Sequence, residues 1–199
     1  VAIGRGLIAD PEWVNKVQND QEDSIRYCIM CNKGCTDKIM SRMSIQCAIN
    51  GEIGMNESFS MVEPKNVLII GGGPGGLEAA RVSSKRGHTV TLVEKENHLG
   101  GQLNIATVPK HKSEMKNILE YLENELKKTD VNIILNKEIG YEFLNNYKPD
   151  HVILATGATP KKFVFENNQM STLTAWEVLA GNKTGKDVVV VGGGSVGVE

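Results

Sequence analysis

Residues 67 to 76 read Val67-Leu68-Ile69-Ile70-Gly71-Gly72-Gly73-Pro74-Gly75-Gly76, an apolar run that passes directly into a glycine-rich loop. A short apolar run bounded by proline and glycine is typical of a buried parallel strand. Gly71, Gly73 and Gly76 have the spacing that permits a tight turn, close approach of a pyrophosphate, and close packing of helix on strand. The stretch therefore predicts the first strand and phosphate loop of a dinucleotide-binding α/β fold.

The sequence after this loop alternates between helix and strand signals. A helix is predicted from about Pro74 to Arg86, because Gly87 stands where a left-handed C-cap residue is favoured. A strand at 89–93 completes a βαβ unit with parallel strands. The further predicted elements are an amphipathic helix carrying Met115 to Leu126, strands at 131–135 and 152–155, a short helix from the Thr174 and Glu177 capping box to Gly181, and a strand at 187–191.

Glu94 follows the second predicted strand, where an acidic side chain can bind both hydroxyls of a ribose. The phosphate would then lie at the N-terminus of the helix, which offers free N–H groups and the positive end of its dipole. The alternative is a solvated carboxylate at the end of a strand. A second loop of the same kind, with Gly192, Gly194 and Gly197, follows Val188 to Val191.

Four cysteines, Cys28, Cys31, Cys35 and Cys47, are the only ones in the chain. Four thiolates hold either structural zinc or an iron-sulfur cluster. Zinc sites usually have two Cys-x-x-Cys pairs, whereas this chain has one, so the uneven spacing favours a cluster. Zinc and thiols without metal stay open as alternatives, and disulfides are disfavoured in a cytosolic chain. Residues 1 to about 60 lack sustained periodicity, which is typical of a segment organised by a bound metal.

The composition excludes several classes of function. The formal net charge of -2 and the pI near 6.1 give no basic surface for nucleic acid or an anionic membrane. No apolar run approaches the roughly 20 residues that span a bilayer, and no secretory signal is readable, so the cytoplasm is the expected compartment. The four histidines show no metal-ligand or nucleophile spacing, and no catalytic residue is predicted.

Taken in order, the motifs of the whole chain resemble one family. They are Gly4-Arg5-Gly6-Leu7-Ile8-Ala9-Asp10-Pro11, the four cysteines, residues 71–76, Glu94, Leu99-Gly100-Gly101-Gln102-Leu103-Asn104-Ile105-Ala106, and Ala155-Thr156-Gly157-Ala158-Thr159-Pro160. The combination resembles the iron-sulfur flavoprotein branch of the old yellow enzyme family, which contains 2,4-dienoyl-CoA reductase, 2-enoate reductase and trimethylamine dehydrogenase. The chain departs from that family at Asn50-Gly51, where Asn-Pro is usual.

The resemblance implies an α/β chain made of parts of several modules. Residues 1–27 would be the C-terminal end of an FMN-binding TIM barrel, and 28–60 the iron-sulfur segment. Residues 65–185 would be a Rossmann-like FAD-binding domain, and 186–199 the first strand and glycine loop of an NAD(P)-binding domain. The chain is then expected to be a fragment that is inactive alone.

The resemblance also implies the cofactor contacts. Cys28, Cys31, Cys35 and Cys47 would bind a [4Fe-4S] cluster, while Gly4 and Arg5 match the loop that binds the FMN phosphate. The FAD contacts would be Gly71, Gly73, Pro74, Gly76, Glu94, Lys95, Gly101, Gln102, Thr156 and Gly157. Gly192, Gly194 and Gly197 would belong to the NAD(P) loop.

The implied function is reduction of an activated C=C bond in an enoate or a dienoyl-CoA. Electrons would pass from NAD(P)H through FAD and the cluster to FMN. One alternative is an electron-transfer module like that of trimethylamine dehydrogenase, with ADP in place of FAD. Another is a chain that folds without cofactors. The expected partner is a small-molecule substrate, and no oligomeric state is predicted.

Overall fold

The computed structural model describes residues 2–55, 59–161 and 172–199. Residue 1, residues 56–58 and residues 162–171 lie outside the described residues, so parts of the predicted segments 1–27, 28–60 and 65–185 are not described. The helices are α1 Arg5–Ala9, α2 Trp13–Gln18, α3 Thr36–Met40, α4 Pro74–Lys85, α5 Leu103–Ala106, α6 Lys116–Lys127, α7 Tyr141–Tyr147, α8 Ala175–Leu179 and α9 Ser195–Val198. The strands are β1 Asn66–Ile70, β2 Thr89–Val93, β3 Asn132–Ile134 and β4 His151–Leu154, and 3-10 turns cover Glu22–Ser24 and Lys110–Met115.

The four strands form one parallel sheet in the order β3-β2-β1-β4. β1 lies between two neighbours, so Ile69 is aligned with Leu92 on one side and with Ile153 on the other. The central side chains of β1 and β2 are buried, as expected for strands covered by crossover helices. The parallel α/β fold predicted from residues 67–76 is confirmed.

Helices α4 and α6 pack together against the sheet. Leu77 and Ala80 of α4 are fully buried, and Leu122 and Leu126 of α6 join them in one core with β1 and β2. Removing a leucine side chain from water contributes about 2 kcal/mol, so these contacts supply much of the domain's stability. The same packing fixes the direction in which α4 leaves the glycine loop.

Helix ends follow the predicted signals. Gly87 has φ +88° directly after the C-cap of α4, a conformation that costs glycine little. At the start of α8, the Thr174 hydroxyl accepts a hydrogen bond from the Glu177 amide and the Glu177 carboxylate accepts from the Thr174 amide. Both predictions, the C-cap glycine and the capping box, are confirmed.

The strand predicted at 187–191 is wrong. In the described range 172–199, the run from Val188 to Val191 belongs to no sheet, and its side chains are 56 to 83% exposed. A strand needs neighbours for its N–H and C=O groups, and none of the four strands lies beside this run. An apolar valine run alone does not supply that pairing.

The cysteine segment, defined here as residues 2–55, contains no strand among these described residues. Polar side chains organise its first part. Asp10 is buried and accepts hydrogen bonds from Lys16 Nζ at 2.6 Å and from the Arg26 amide at 2.9 Å. The turn at Glu22–Ser24 reaches α6, where Asn124 Nδ2 donates to the Asp23 carbonyl at 3.1 Å. The segment is therefore attached to the nucleotide domain.

Across the described parts of the chain, no helix combines the length and apolar character that crossing a bilayer requires.

Candidate cysteine and nucleotide sites

The first glycine loop has a geometry that admits only glycine at two positions. Gly71 has φ +111°, and a Cβ added there would lie 2.3 Å from the Ala155 carbonyl oxygen. A Cβ on Gly76 would lie 1.9 Å from the Gly71 carbonyl oxygen. Real Cβ atoms do not approach backbone this closely, so the loop depends on both glycines to bring α4 against β1.

Gly73, the remaining glycine of the loop motif, lies against Gly101, another predicted cofactor contact. Gly73 is the N-cap of α4 and Pro74 is its first residue, which suits a helix start because proline lacks the N–H that would go unused there. Gly101 has φ +50°, and a Cβ on it would lie 3.0 Å from Gly73 Cα. The N-terminus of α4 thus lies against the Gly101 backbone, and the two glycines leave its free N–H groups open to a phosphate.

Glu94 is built into the same loop. It is 8% exposed at the end of β2, with Oε2 accepting from the Gly72 amide at 2.6 Å and Oε1 accepting from the Glu96 amide at 2.9 Å. The alternative of a solvated strand-end carboxylate is therefore wrong. Two backbone donors hold the carboxylate in one orientation beside the phosphate loop.

The remaining predicted contacts border this loop, with one exception. Gln102 Nε2 donates to the Ala158 carbonyl at 3.0 Å, next to Gly157 with φ +69°. The Thr156 amide nitrogen is 3.2 Å from where a Gly71 Cβ would lie. Lys95 is different, because its side chain is 64% exposed and pairs with Glu96 at 3.8 Å. The role of each residue in binding stays a prediction.

We expect Glu94→Gln to weaken binding of ADP by about tenfold to a hundredfold, because an amide cannot accept from both backbone donors and loses the charge that strengthens those bonds. Isothermal titration with ADP measures the change. Glu96→Gln is the matched control, since that carboxylate is 58% exposed and pairs with Lys95. Equal affinity of the two variants would contradict a ribose-binding role for Glu94.

All four cysteines line one small cavity of about 20 Å³. The other lining residues are Arg5, Ile8, Ile29, Asn32, Gly34, Ala48 and Ile49. Three of the four thiols are partly buried, and Cys31 is exposed. The cysteines of the 28–35 loop and the more distant Cys47 therefore line the same cavity, and their role as ligands stays a prediction.

Local backbone conformation explains this convergence. Met30 and Asn32 have φ of +56° and +59°, so the chain turns twice between Cys28 and Cys35. A Cβ on Gly34 would lie 2.4 Å from the Gln46 carbonyl oxygen, and the Gln46 amide donates to the Gly34 carbonyl at 2.7 Å. This close crossing of two backbone segments places Cys47 against the loop.

The four thiols are a donor set that suits either an iron-sulfur cluster or a four-coordinate zinc ion. Among the described residues, no three cysteine, histidine or acidic side chains converge in the arrangement that holds one metal ion. One zinc ion would require thiolates about 3.8 Å apart, from tetrahedral geometry with bonds of about 2.3 Å. A cluster binds each thiolate through a different iron atom, so its four ligands surround a larger group.

Arg5 lies beside the cysteine cavity, where its guanidinium donates to the Asn32 side-chain carbonyl. Gly4 is exposed, and a Cβ there would meet no described atom within 4 Å. Within the described residues these two therefore form no phosphate cradle, and their assignment to FMN stays a prediction.

The second glycine loop has the same backbone geometry as the first. Gly192 has φ +114°, and a Cβ on Gly197 would lie 1.9 Å from the Gly192 carbonyl oxygen. Gly194 caps α9 with φ −76° and ψ −179°, against −74° and 179° for Gly73. The loop thus forms without a sheet beside it.

Residues 65–199, which include both loops, match the family model described as pyridine nucleotide-disulphide oxidoreductase. The chain belongs to this family.

Individual relatives extend the likeness to the cysteine segment. Bilirubin reductase of Mediterraneibacter gnavus is 45% identical across 100% of this chain and 32% of its own length. Cinnamate reductase of Clostridium sporogenes is 37% identical across 100% of this chain and 30% of its own length. The solved structure of 2-naphthoyl-CoA reductase with 2-naphthoyl-CoA is 28% identical, with a TM-score of 0.90 over 98% of this chain and 30% of that one.

These relatives confirm the resemblance to the iron-sulfur flavoprotein branch of the old yellow enzyme family. The chain spans about a third of the length of the curated relatives it matches.

A buried polar network in this oxidoreductase domain was missed by the sequence analysis. Arg81 of α4 is fully buried, and its Nη2 donates to Glu52 and, at 2.7 Å, to Glu78. Arg26 Nη2 donates to Tyr121 Oη at 2.7 Å and lies 3.5 Å from Glu52 Oε1. One signal was available: Arg81 falls four residues after Leu77, on the apolar face of α4.

The arginines change how Glu52 titrates. Burial raises the pKa of this carboxyl, but the hydrogen bond and charge of Arg81, aided by Arg26, more than offset that and hold its pKa below the ordinary 4.5. Because the pKa of Glu52 is lower in the folded state than in the unfolded state, its ionised carboxylate stabilises the fold fully at pH values above the unfolded-state pKa. That stabilisation is lost as the pH falls through the folded-state pKa.

We therefore expect Glu52→Gln to lower the melting temperature at about pH 7 and to have a smaller effect at about pH 3.5. The expected loss at neutral pH is about 1 kcal/mol, because Glu52 is 36% exposed and solvent screens its ion pairs. Comparing variant and parent at each pH cancels effects that both share. A difference that stays constant with pH would contradict the ionic role of Glu52.

Proposed function

We propose that this chain is the iron-sulfur and nucleotide-binding part of an NAD(P)H-dependent reductase of activated C=C bonds. Electrons would pass from NAD(P)H by way of FAD and a [4Fe-4S] cluster to FMN. One observation carries the proposal: four thiols line one cavity in a segment attached to the helix that follows the nucleotide loop.

The residues around the first loop suit the AMP half of FAD. The N-terminus of α4, beside Gly73 and Gly101, offers free N–H groups to the pyrophosphate. Glu94 is held where it can accept from the ribose hydroxyls. Gln102 donates to the Ala158 carbonyl beside Gly157, and both Gln102 and Gly157 would contact the rest of the dinucleotide.

The four thiols around the cysteine cavity have the chemistry that a cluster requires of its ligands. Cys28, Cys31, Cys35 and Cys47 would be its four ligands, and the Met30 amide already donates to Cys28 Sγ at 3.4 Å. When bound, the flavin supplies hydride acceptance and the cluster supplies single-electron transfer. The chain's own part is to hold these sites on one rigid domain.

The names of the relatives support the proposed substrate class. Bilirubin, cinnamate and 2-naphthoyl-CoA, which name three of them, all contain C=C bonds conjugated with other unsaturated groups. In balance, NAD(P)H would supply a hydride and solvent a proton, so the bond gains two hydrogens and NAD(P)⁺ is released. The pocket for that substrate would be formed by other parts of the full-length protein.

The test is anaerobic purification of the full-length protein that contains this chain. Iron, acid-labile sulfide and zinc are measured, bound nucleotides are extracted and identified by mass, and NADH-driven reduction of cinnamate is assayed. We expect about four iron and four sulfide per chain, together with FAD. Zinc without iron, or absence of flavin, would contradict the proposal, and ADP in place of FAD would instead support a module like that of trimethylamine dehydrogenase.

A further inference from the structure

The buried polar network of Arg26, Glu52, Arg81 and Tyr121 connects the cysteine segment to the domain that carries the first glycine loop. It contacts the cysteine segment on both sides of the four cysteines. Arg26 precedes Cys28 by two residues, and Asn50 follows Cys47 by three. Asn50 is 2% exposed, its Oδ1 accepts from Arg26 Nη1, and its Nδ2 donates to the Ile8 carbonyl at 3.0 Å. The segment is therefore fixed immediately before its first cysteine and after its last.

The nucleotide domain supplies the other half of the network. Arg81 lies two turns along α4 from the glycine loop, and Tyr121 projects from α6. The guanidinium of Arg26 lies over the Tyr121 ring, 4.8 Å from its centroid. Both arginines approach Glu52 Oε1, Arg26 from the cysteine segment and Arg81 from α4.

Stability alone does not account for this arrangement. Among the described residues, two buried side-chain nitrogens, Arg26 Nε and Arg81 Nη1, have no hydrogen-bond partner. Buried ion pairs of this kind contribute little compared with well-packed apolar residues. A planar guanidinium does, however, restrict the orientation of its partners more strongly than an apolar contact would.

We propose that Arg26, Glu52 and Arg81 are positioning residues that hold the cysteine cavity at a fixed place on the nucleotide-binding helix, and that they thereby couple the two sites. Nucleotide bound at the loop of residues 71–76 restrains α4, and the restraint reaches the cysteine segment through Arg81 and Glu52. The inference depends on the proposed function only in that the loop binds a nucleotide and the cysteines bind a cluster.

Hydrogen exchange on the full-length protein, freed of bound nucleotide, tests the coupling, with ADP as the probe. We expect ADP to slow amide exchange across residues 44–55 by about fivefold or more in the parent, and Glu52→Gln to abolish that slowing. Coupling is reciprocal, so removing iron should weaken ADP binding by a similar factor in the parent and leave the affinity of the variant unchanged.

Glu63→Gln is the matched control, because it makes the same chemical change at a carboxylate that is 82% exposed and pairs with Lys65. If Glu52→Gln does not fold, Tyr121→Phe removes only the oxygen that accepts from Arg26 and provides the same test.

The outcomes separate the two proposals. Failure of the parent to bind ADP or iron refutes the proposed function. The positioning role is refuted if ADP and iron bind normally and ADP slows amide exchange across residues 44–55 equally in Glu52→Gln and in the Glu63→Gln control. The positioning role is supported if Glu52→Gln keeps its iron content, loses the slowing of exchange, and binds ADP as tightly as the iron-free parent does. A merely structural defect would lower the iron content as well.

Discussion

Gly76→Ala is expected to lower affinity for ADP or FAD by at least tenfold and to destabilise the nucleotide domain by about 3 kcal/mol. The added Cβ would lie 1.9 Å from the Gly71 carbonyl oxygen, which is backbone and has no rotamer to change. The first turn of α4 must then move away from β1. Its free N–H groups would no longer converge on the position of the pyrophosphate.

Titration calorimetry and thermal unfolding measure the two effects. Gly75→Ala is the matched control, because a Cβ there meets no described atom within 4 Å and alanine is a better helix former than glycine. We expect that control to keep its affinity and to melt at the same temperature or slightly higher. Unchanged binding in Gly76→Ala would show that the loop does not hold the nucleotide as described.

Cys47→Ser is expected to reduce iron and sulfide content by more than tenfold, because serine oxygen is a poor substitute for a thiolate ligand to iron. Cys47 comes from a different stretch than the other three thiols, and the close crossing at Gly34 brings it to the cavity. Without it, the cavity has three ligands from one loop and an open side.

Metal analysis and the visible absorption of the cluster measure this loss. Ser44→Ala, an exposed change three residues earlier, is the control and should keep full iron content. Retention of iron and sulfide in Cys47→Ser would remove Cys47 from the ligand set. Zinc in the parent and its loss in the variant would favour the zinc alternative.

The elements that the sequence predicted correctly have local causes. β1 and β2 are short apolar runs ended by glycine or a charged residue. Helix α4 begins at Pro74, and Gly87 directly follows its C-cap residue. Likewise, Gly71 and Gly76 reveal the phosphate loop because the backbone geometry there excludes other residues. Such features are readable because each depends on a few neighbouring residues.

Features that depend on distant partners were not predictable in the same way. The valine run ending at Val191 has strand composition, but a strand is defined by neighbours that the run does not specify. Arg26 and Tyr121 are 95 positions apart, and nothing in either local sequence indicates their hydrogen bond. Asn50 departs from the family pattern in its neighbour Gly51, and only the structure shows that its side chain is a buried connection between three parts of the chain.

The fully buried Arg81 also limits how such modules can be exchanged during evolution. The composition of the chain changes near residue 60, yet Arg81 on one side depends on Glu52 on the other. A recombination that joined this nucleotide domain to a foreign cysteine segment would leave a buried cation with Glu78 as its remaining described acidic partner. The two segments are therefore expected to be inherited together, or to change at positions 26, 52 and 81 in concert.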